Sequence, residues 1–152
     1  MKLYRLHTMQ DIKISLDEAW DFFSDPRNLA KITPDHLSFN ILSELPEKMY
    51  AGMIIEYTIK PVAGIPIRWI TEITQVREKE FFIDEQRAGP YKFWHHQHMF
   101  EEIDGGTRMY DTVHYAVPFG IFGRIANSLF VKRQVNMIFD FRHRILENKF
   151  NK

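Results

Sequence analysis

The densest group of side chains capable of acid–base chemistry lies in one short segment. It reads Trp94-His95-His96-Gln97-His98-Met99-Phe100, and its aromatic content is typical of a β-strand. Successive side chains of a strand point to opposite faces, so His96 and His98 share a face with Trp94 and Phe100. Because imidazole titrates near neutral pH, this pair could act as a general acid and base or as polar anchors for a ligand.

The next strand can supply a carboxylate to the same face. The two strands are joined by Asp104-Gly105-Gly106, a sequence typical of tight hairpin turns. A two-residue turn at Asp104-Gly105 predicts that His98 lies directly opposite Asp111, whose charge would orient the imidazole. A three-residue loop would instead bring the alternate side chains to this face, namely Tyr110, Thr112 and His114.

The preceding strand carries Asp84 and Gln86, which share the histidine face if the connecting loop has three residues. The candidates for acid–base catalysis are therefore His96, His98, Asp111 and Asp84. A purely structural role, as cross-strand hydrogen-bonding residues, is the competing interpretation of the same cluster.

Metal binding is a weaker interpretation of the segment. His96-Gln97-His98 and Glu102 place three potential ligands on one strand face, which resembles part of the first motif of cupin metal sites. The match is incomplete, because Gly89 lies one residue too far from His96. Residues 118–123 also lack the second histidine that such a site needs. We therefore expect no metal and no cofactor.

Composition narrows the functional classes. The 20 basic residues balance 20 acidic residues, which removes the net positive charge that drives nucleic-acid binding. The absence of cysteine excludes disulfides, thiolate nucleophiles and cysteine-based zinc sites. No apolar run has the length of a signal peptide or membrane span, so we expect a cytoplasmic protein without stable membrane insertion, as a monomer or homodimer. The 13 Phe, 6 Tyr and 3 Trp indicate either a Phe-rich packed core or a hollow one.

The elements that must position these residues follow from the order of patterns along the chain. An extended segment at 3–13 precedes the capping-box sequence Ser15–Glu18, and Asp25-Pro26 begins a second short helix. Further strands are predicted at 37–43, 52–60, 66–77, 80–87, 91–103 and 107–117. Residues 1–152 therefore form one α+β domain with about seven antiparallel strands.

A long terminal helix is predicted over about 121–148, after Pro118-Phe119-Gly120 ends the sheet. Its polar stripe comprises Lys132, Asn136, Asp140, His143, Arg144 and Glu147. Its apolar face, predicted to cover the sheet, comprises Phe130, Val131, Gln134, Val135, Met137, Ile138, Phe141 and Ile145. The basic residues Lys132, Arg133, Arg142, Arg144 and Lys149 are assigned to the solvated face.

Several short motifs together resemble the START/SRPBCC helix-grip superfamily, which includes the birch-pollen-type ligand carriers and the polyketide cyclase/dehydrase group. The similarity extends to a bacterial cell-division-inhibitor-like subgroup. It rests on Arg68-Trp69, Asp84-Glu85-Gln86, Gly89-Pro90-Tyr91, Trp94-x-His96-x-His98-x-Phe100, Gly106-Thr107, Asp111-x-Val113-x-Tyr115 and Pro118-Phe119-Gly120. The resemblance implies a curved sheet that grips the terminal helix around an apolar cavity.

Three functions remain open from the sequence. The first is binding of a small hydrophobic or amphipathic molecule by Trp69, Gln86, Trp94, His96, His98, Phe100, Asp111, Tyr115 and Phe141. The second is an enzyme of cyclase, dehydratase or hydrolase type that uses His96 or His98 with Asp111 or Asp84. The third is a protein-interaction or stress-response domain with an exposed apolar patch near Ile65-Pro66.

Overall fold

The structure is a computed structural model and describes residues 1–62 and 64–152. Its main element is a seven-stranded antiparallel sheet. Its strands are β1 Tyr4–Ile12, β2 Asn40–Ile41, β3 Met53–Val62, β4 Ile65–Arg77, β5 Phe81–Ala88, β6 Phe93–Ile103 and β7 Gly106–Ala116. The strand order is β1-β7-β6-β5-β4-β3-β2, so consecutive strands pair except that β1 returns to β7. The predicted α+β helix-grip fold is confirmed.

Two short helices follow β1, as predicted. Helix α1, Leu16–Phe23, begins with the expected capping box, in which the Glu18 amide donates to the Ser15 hydroxyl and the Ser15 amide to the Glu18 carboxylate. Asp25 accepts from the Arg27 amide and starts a 3-10 helix at Pro26–Ile32. A further 3-10 turn, Asp35–Leu37, was not predicted. These elements lie at one end of the space between sheet and terminal helix.

The terminal helix consists of α2 Gly120–Ala126, a π-helical turn Asn127–Val131 and α3 Lys132–Phe150. A π turn holds one more residue than an α turn, so it rotates the faces on either side out of phase. The predicted helix is confirmed in extent, but its predicted apolar face is partly wrong. Phe130, in the π turn, is 70% exposed, and Met137 is also exposed.

The buried face of α3 is formed by Val135, as predicted, together with Phe139, Arg142 and Leu146. The assignment of Arg142 to the solvated face is therefore wrong, since this residue is only 8% exposed. Phe139 lies three residues before Arg142, and Leu146 lies four residues after it. All three side chains therefore lie on the same buried face of the helix.

Polar contacts at two positions fix the helix to the sheet. Near its start, the Gln134 amide donates to the Pro61 carbonyl of β3 at 2.6 Å. At its end, Asn151 donates to the Asp11 carbonyl and accepts from the Lys13 amide, both at 2.9 Å. The helix thus bridges from β3 to the end of β1, and the space beneath it is bounded by side chains of both layers.

Two hydrophobic clusters fill part of that space. One surrounds Trp20, Phe82 and Phe100, and the other includes Val113, Tyr115 and Phe139.

No helix in the described part of the chain combines the length and hydrophobicity needed to cross a bilayer. Ile65 is exposed, but a larger exposed apolar set lies before and within the π turn: Phe119, Ile121, Phe122, Ile125, Leu129 and Phe130.

Candidate functional site: a histidine–aspartate quartet beside two chambers

The registers of three central strands bring two histidines and two aspartates together. Asp84 on β5 lies opposite His96 on β6, and His98 lies opposite Asp111 on β7. The β6–β7 connection is the two-residue turn Asp104-Gly105, so the predicted His98–Asp111 pairing is confirmed. The β5–β6 register also places Asp84 on the histidine face, which the sequence left open.

These four side chains, here called the quartet, contact one another through both nitrogens of each ring. His96 Nε2 lies 2.8 Å from Asp111 Oδ1, and His96 Nδ1 lies 3.3 Å from Asp84 Oδ2. His98 Nε2 lies 2.8 Å from Asp84 Oδ2, and His98 Nδ1 lies 3.0 Å from Asp111 Oδ1. Each carboxylate is therefore shared by two imidazoles, and the ring centroids are 3.7 Å apart.

Burial and mutual charge set the ionisation of the quartet. Burial alone would lower the pKa of His96, but the charge of Asp84 and the hydrogen bonds that the ring donates to Asp111 and Asp84 raise this pKa to about 9. Burial alone would raise the pKa of both carboxyl groups, but the charges and hydrogen bonds of His96 and His98 hold them well below the usual range. His96 is thus a buried imidazolium between two carboxylates at neutral pH.

The quartet also contains the donor set that would suit a divalent metal ion. One ligand atom each from Asp84, His96 and His98 lie within 4.8 Å of one another. Glu102, the third ligand considered from the sequence, is exposed near the end of β6. The same nitrogen and oxygen atoms already satisfy one another by hydrogen bonding, so the quartet needs no ion to balance its buried polar groups.

Two adjoining chambers lie between the sheet and the helices. The larger, of about 330 Å³, extends toward Val117–Phe119 and α3, and the smaller, of about 140 Å³, extends toward α1 and the 3-10 helix. Six residues line both chambers and mark where they meet: Leu29, Tyr57, Trp69, Trp94, His96 and Arg142. His98 and Asp84 line the smaller chamber. Three members of the quartet therefore form part of the chamber walls, and Asp111 does not.

The sequence-predicted binding residues divide into two groups. Trp69, Trp94 and His96 line both chambers, His98 lines the smaller one, and Asp111 lies behind the two histidines. The other four residues are not part of either lining: Gln86, Phe100, Tyr115 and Phe141.

Each residue of the second group has a different surrounding. Gln86 donates to the Tyr91 carbonyl and accepts from the Tyr91 amide. Phe100 packs edge-on against Trp20, and Tyr115 stacks on Tyr4. Phe141 is half-buried, and its helical neighbour Phe139 lines the larger chamber in its place.

Sequence reasoning missed Arg142 and Tyr57, which line both chambers. Arg142 was assigned to solvent because it is charged, although its spacing from Phe139 and Leu146 is the helical spacing of one buried face. Tyr57 carried no comparable signal beyond its place in a strand. Its pKa is raised by burial, so its hydroxyl stays protonated and can donate.

A curved antiparallel sheet that wraps around a long terminal helix, with chambers between the two, defines the helix-grip class of ligand-binding folds. The chain belongs to the family described as polyketide cyclase / dehydrase and lipid transport, which residues 12–142 match. No curated protein sequence matches this chain.

Solved structures share the fold at low sequence identity. A protein from Thermus thermophilus is 16% identical, with a TM-score of 0.74 and 95% of each chain covered. A protein from Chromobacterium violaceum is 11% identical, with a TM-score of 0.72 and 99% of this chain and 98% of that chain covered. Major latex-like protein 151 from Panax ginseng is 14% identical, with a TM-score of 0.69 and 97% of each chain covered.

Proposed function

We propose that the protein binds a small hydrophobic or amphipathic molecule in the two chambers. The observation that carries this proposal is their joint lining, in which Trp69, Trp94 and Tyr57 form aromatic walls beside the polar quartet. Apolar walls with a few convergent polar groups are the usual make-up of small-molecule sites, which enclose roughly 300–1,000 Å³. The family match to lipid transport and polyketide proteins supports the same class of ligand.

Native mass spectrometry of the purified protein tests the proposal. The expected result is a bound small molecule that is absent from a variant whose chambers are filled. Leu29→Trp places a large side chain where the two chambers meet, and Met9→Trp is the matched control because Met9 is 52% exposed on β1. A ligand retained equally by both variants would contradict binding in the chambers.

A second candidate function is acid catalysis of the cyclase or dehydratase type. It is favoured by the position of His96, a protonated imidazole in the wall of both chambers, whose Nδ1 proton could leave the longer 3.3 Å contact with Asp84 and pass to a leaving hydroxyl. The test is loss of water from a β-hydroxy ketone, followed by mass spectrometry. His96→Gln should abolish it, and His95→Gln, on the opposite strand face, should not. Unchanged turnover in His96→Gln would remove this candidate.

We also infer a monomeric or homodimeric protein that acts in the cytoplasm, within the cell-division-inhibitor-like subgroup. The support is the motif set around Trp94–Phe100 and the balanced charge. Light scattering on the purified chain tests the oligomeric state, and a larger assembly would contradict it.

A further inference from the structure

Two buried hydrogen-bond donors in the chamber walls lack acceptors. Arg142 is 8% exposed, its Nε has no hydrogen-bond partner, and no salt bridge among the described residues includes it. Trp69 Nε1 is likewise buried without a partner among residues 1–62 and 64–152. Buried donors are nearly always paired in folded proteins, so two such donors on residues that line the same chambers call for a physical explanation.

The carboxylates that line the smaller chamber together with Arg142 are those of Asp25 and Asp84, and both have other partners. Asp25 forms a salt bridge with Arg27. Asp84 and Asp111 each contact both imidazoles of the quartet, and their contacts range from 2.8 to 3.3 Å. The positive charge of Arg142 is thus left without a carboxylate partner, although an unpaired buried charge is strongly unfavourable. Its guanidinium instead lies 4.9 Å from the ring centroid of Phe139, a weak compensation.

Tyr57 adds a third polar group at the place where the chambers meet. Its ring stacks on Trp69 with centroids 5.7 Å apart, and its hydroxyl lies 3.4 Å from the Thr71 hydroxyl. Arg142, Trp69 and Tyr57 all line both chambers. The unpaired polar atoms at this junction are therefore both donors, and one of them belongs to the positively charged Arg142.

We propose that the ligand is an amphipathic anion whose negatively charged head is bound by Arg142, with Trp69 as a second donor, while its apolar body occupies the larger chamber. A guanidinium binds carboxylate, sulfonate or phosphate oxygens with strong, directional hydrogen bonds. This inference rests on the proposed function and names the class of ligand for the same site.

Calorimetric titration with four ligands of equal chain length tests the inference. Decanoate and decyl phosphate carry anionic heads, 1-decanol a neutral head and decylamine a cationic head. The wild-type chain should bind at least one anion about tenfold or more tightly than decanol, as expected for a charge-assisted hydrogen bond. The two anions distinguish a carboxylate from a phosphate head.

Two substitutions on one helix provide the comparison. Arg142→Gln should lower the affinity for the anions to within about twofold of the affinity for decanol, and it should leave the affinity for decanol unchanged. Arg144→Gln, at an exposed position two residues away, should retain the full preference. Arg142→Lys keeps the charge and should retain a preference for anions over decylamine. Thermal melting of each variant checks that it is folded.

The outcomes separate this inference from the proposed function. Equal binding of anions and decanol by the wild-type chain, or a preference that survives in Arg142→Gln, would overturn the anion anchor and leave ligand binding intact. Binding of none of the four ligands would overturn both.

Discussion

His98 and Asp111 lie directly opposite each other on β6 and β7, with His98 Nδ1 3.0 Å from Asp111 Oδ1. The other nitrogen of the same ring lies 2.8 Å from Asp84 on β5, so one imidazole ties three strands together. The contact is buried at the wall of the smaller chamber. It therefore contributes to the stability of the sheet as well as to the polarity of the site.

Loss of the Asp111 charge should destabilise the fold. Asp111→Asn leaves two buried imidazoles with one carboxylate between them, and we expect the free energy of unfolding to fall by about 3 kcal/mol. Asp104→Asn, in the exposed β6–β7 turn, is the control and should change it by less than about 0.5 kcal/mol. Urea denaturation measures both, and equal stability of the two variants would show that the quartet is not a stabilising network.

Stability should also fall as pH rises from neutrality. The pKa of His96 is raised from 6.5 to about 9 in the folded state, so the folded chain holds an extra proton between these values. Its stabilisation is complete below about pH 6.5 and is lost as pH rises through about 9, which removes about 3 kcal/mol. The two carboxyl groups, whose pKa values are lowered, lose their contribution only in acid.

Urea denaturation at about pH 6 and about pH 9.5 measures this dependence. His96→Gln should flatten it, whereas His95→Gln, on the opposite face of β6, should not. An unchanged pH dependence in His96→Gln would assign the effect to other groups.

The limits of sequence reasoning are clear from two residues. Period-two alternation and the Asp-Gly turn were enough to place His98 opposite Asp111, because hairpin register is a local property. The strand face that Asp84 shares depends on the loop at 89–92, which is longer than a tight turn. The sequence alone does not determine the exact length of this loop, so it leaves the face of Asp84 open. The sequence therefore places Asp84 beside the histidines for only one of the possible loop lengths.

The burial of Arg142 depends on how a whole helix sits on the sheet. Charged residues default to solvent in pattern analysis, and the π turn at Asn127–Val131 shifts the face that the preceding residues present. Composition left open whether the aromatic residues fill a packed core or line a cavity. It could not distinguish Trp69, which lines the chambers, from Trp20, which packs in the core.

Replacement of Arg142 should stabilise the protein, because a buried guanidinium without a carboxylate partner costs free energy. We expect Arg142→Met to raise the free energy of unfolding by about 1 kcal/mol, since a flexible apolar side chain can fill the same space. Arg144→Met, at an exposed position, should have little effect. A large loss of stability in Arg142→Met would mean that Arg142 supports the fold rather than the ligand.

The loop beside the larger chamber should depend on Gln86. Its side chain makes hydrogen bonds of 2.7 and 3.1 Å to the backbone of Tyr91, whose ring packs 4.8 Å from that of Trp94. Gln86→Ala should cost about 1–2 kcal/mol and increase hydrogen exchange at the Tyr91 amide about tenfold. Gln75→Ala, at an exposed strand position, is the control. Unchanged exchange at Tyr91 would contradict this role of Gln86.

The most direct test of ligand binding in the chambers uses the three tryptophans. Trp69 and Trp94 line both chambers. Trp20 packs in the core, where its ring centroid lies 6.0 Å from that of Phe82 and 5.7 Å from that of Phe100. Each indole N–H gives its own signal in a proton–nitrogen correlation spectrum, assigned with the three Trp→Phe variants. Titration with decanoate should shift the signals of Trp69 and Trp94 and leave that of Trp20 in place. Unchanged signals from Trp69 and Trp94 at saturating decanoate, or a shift confined to Trp20, would contradict binding in the chambers.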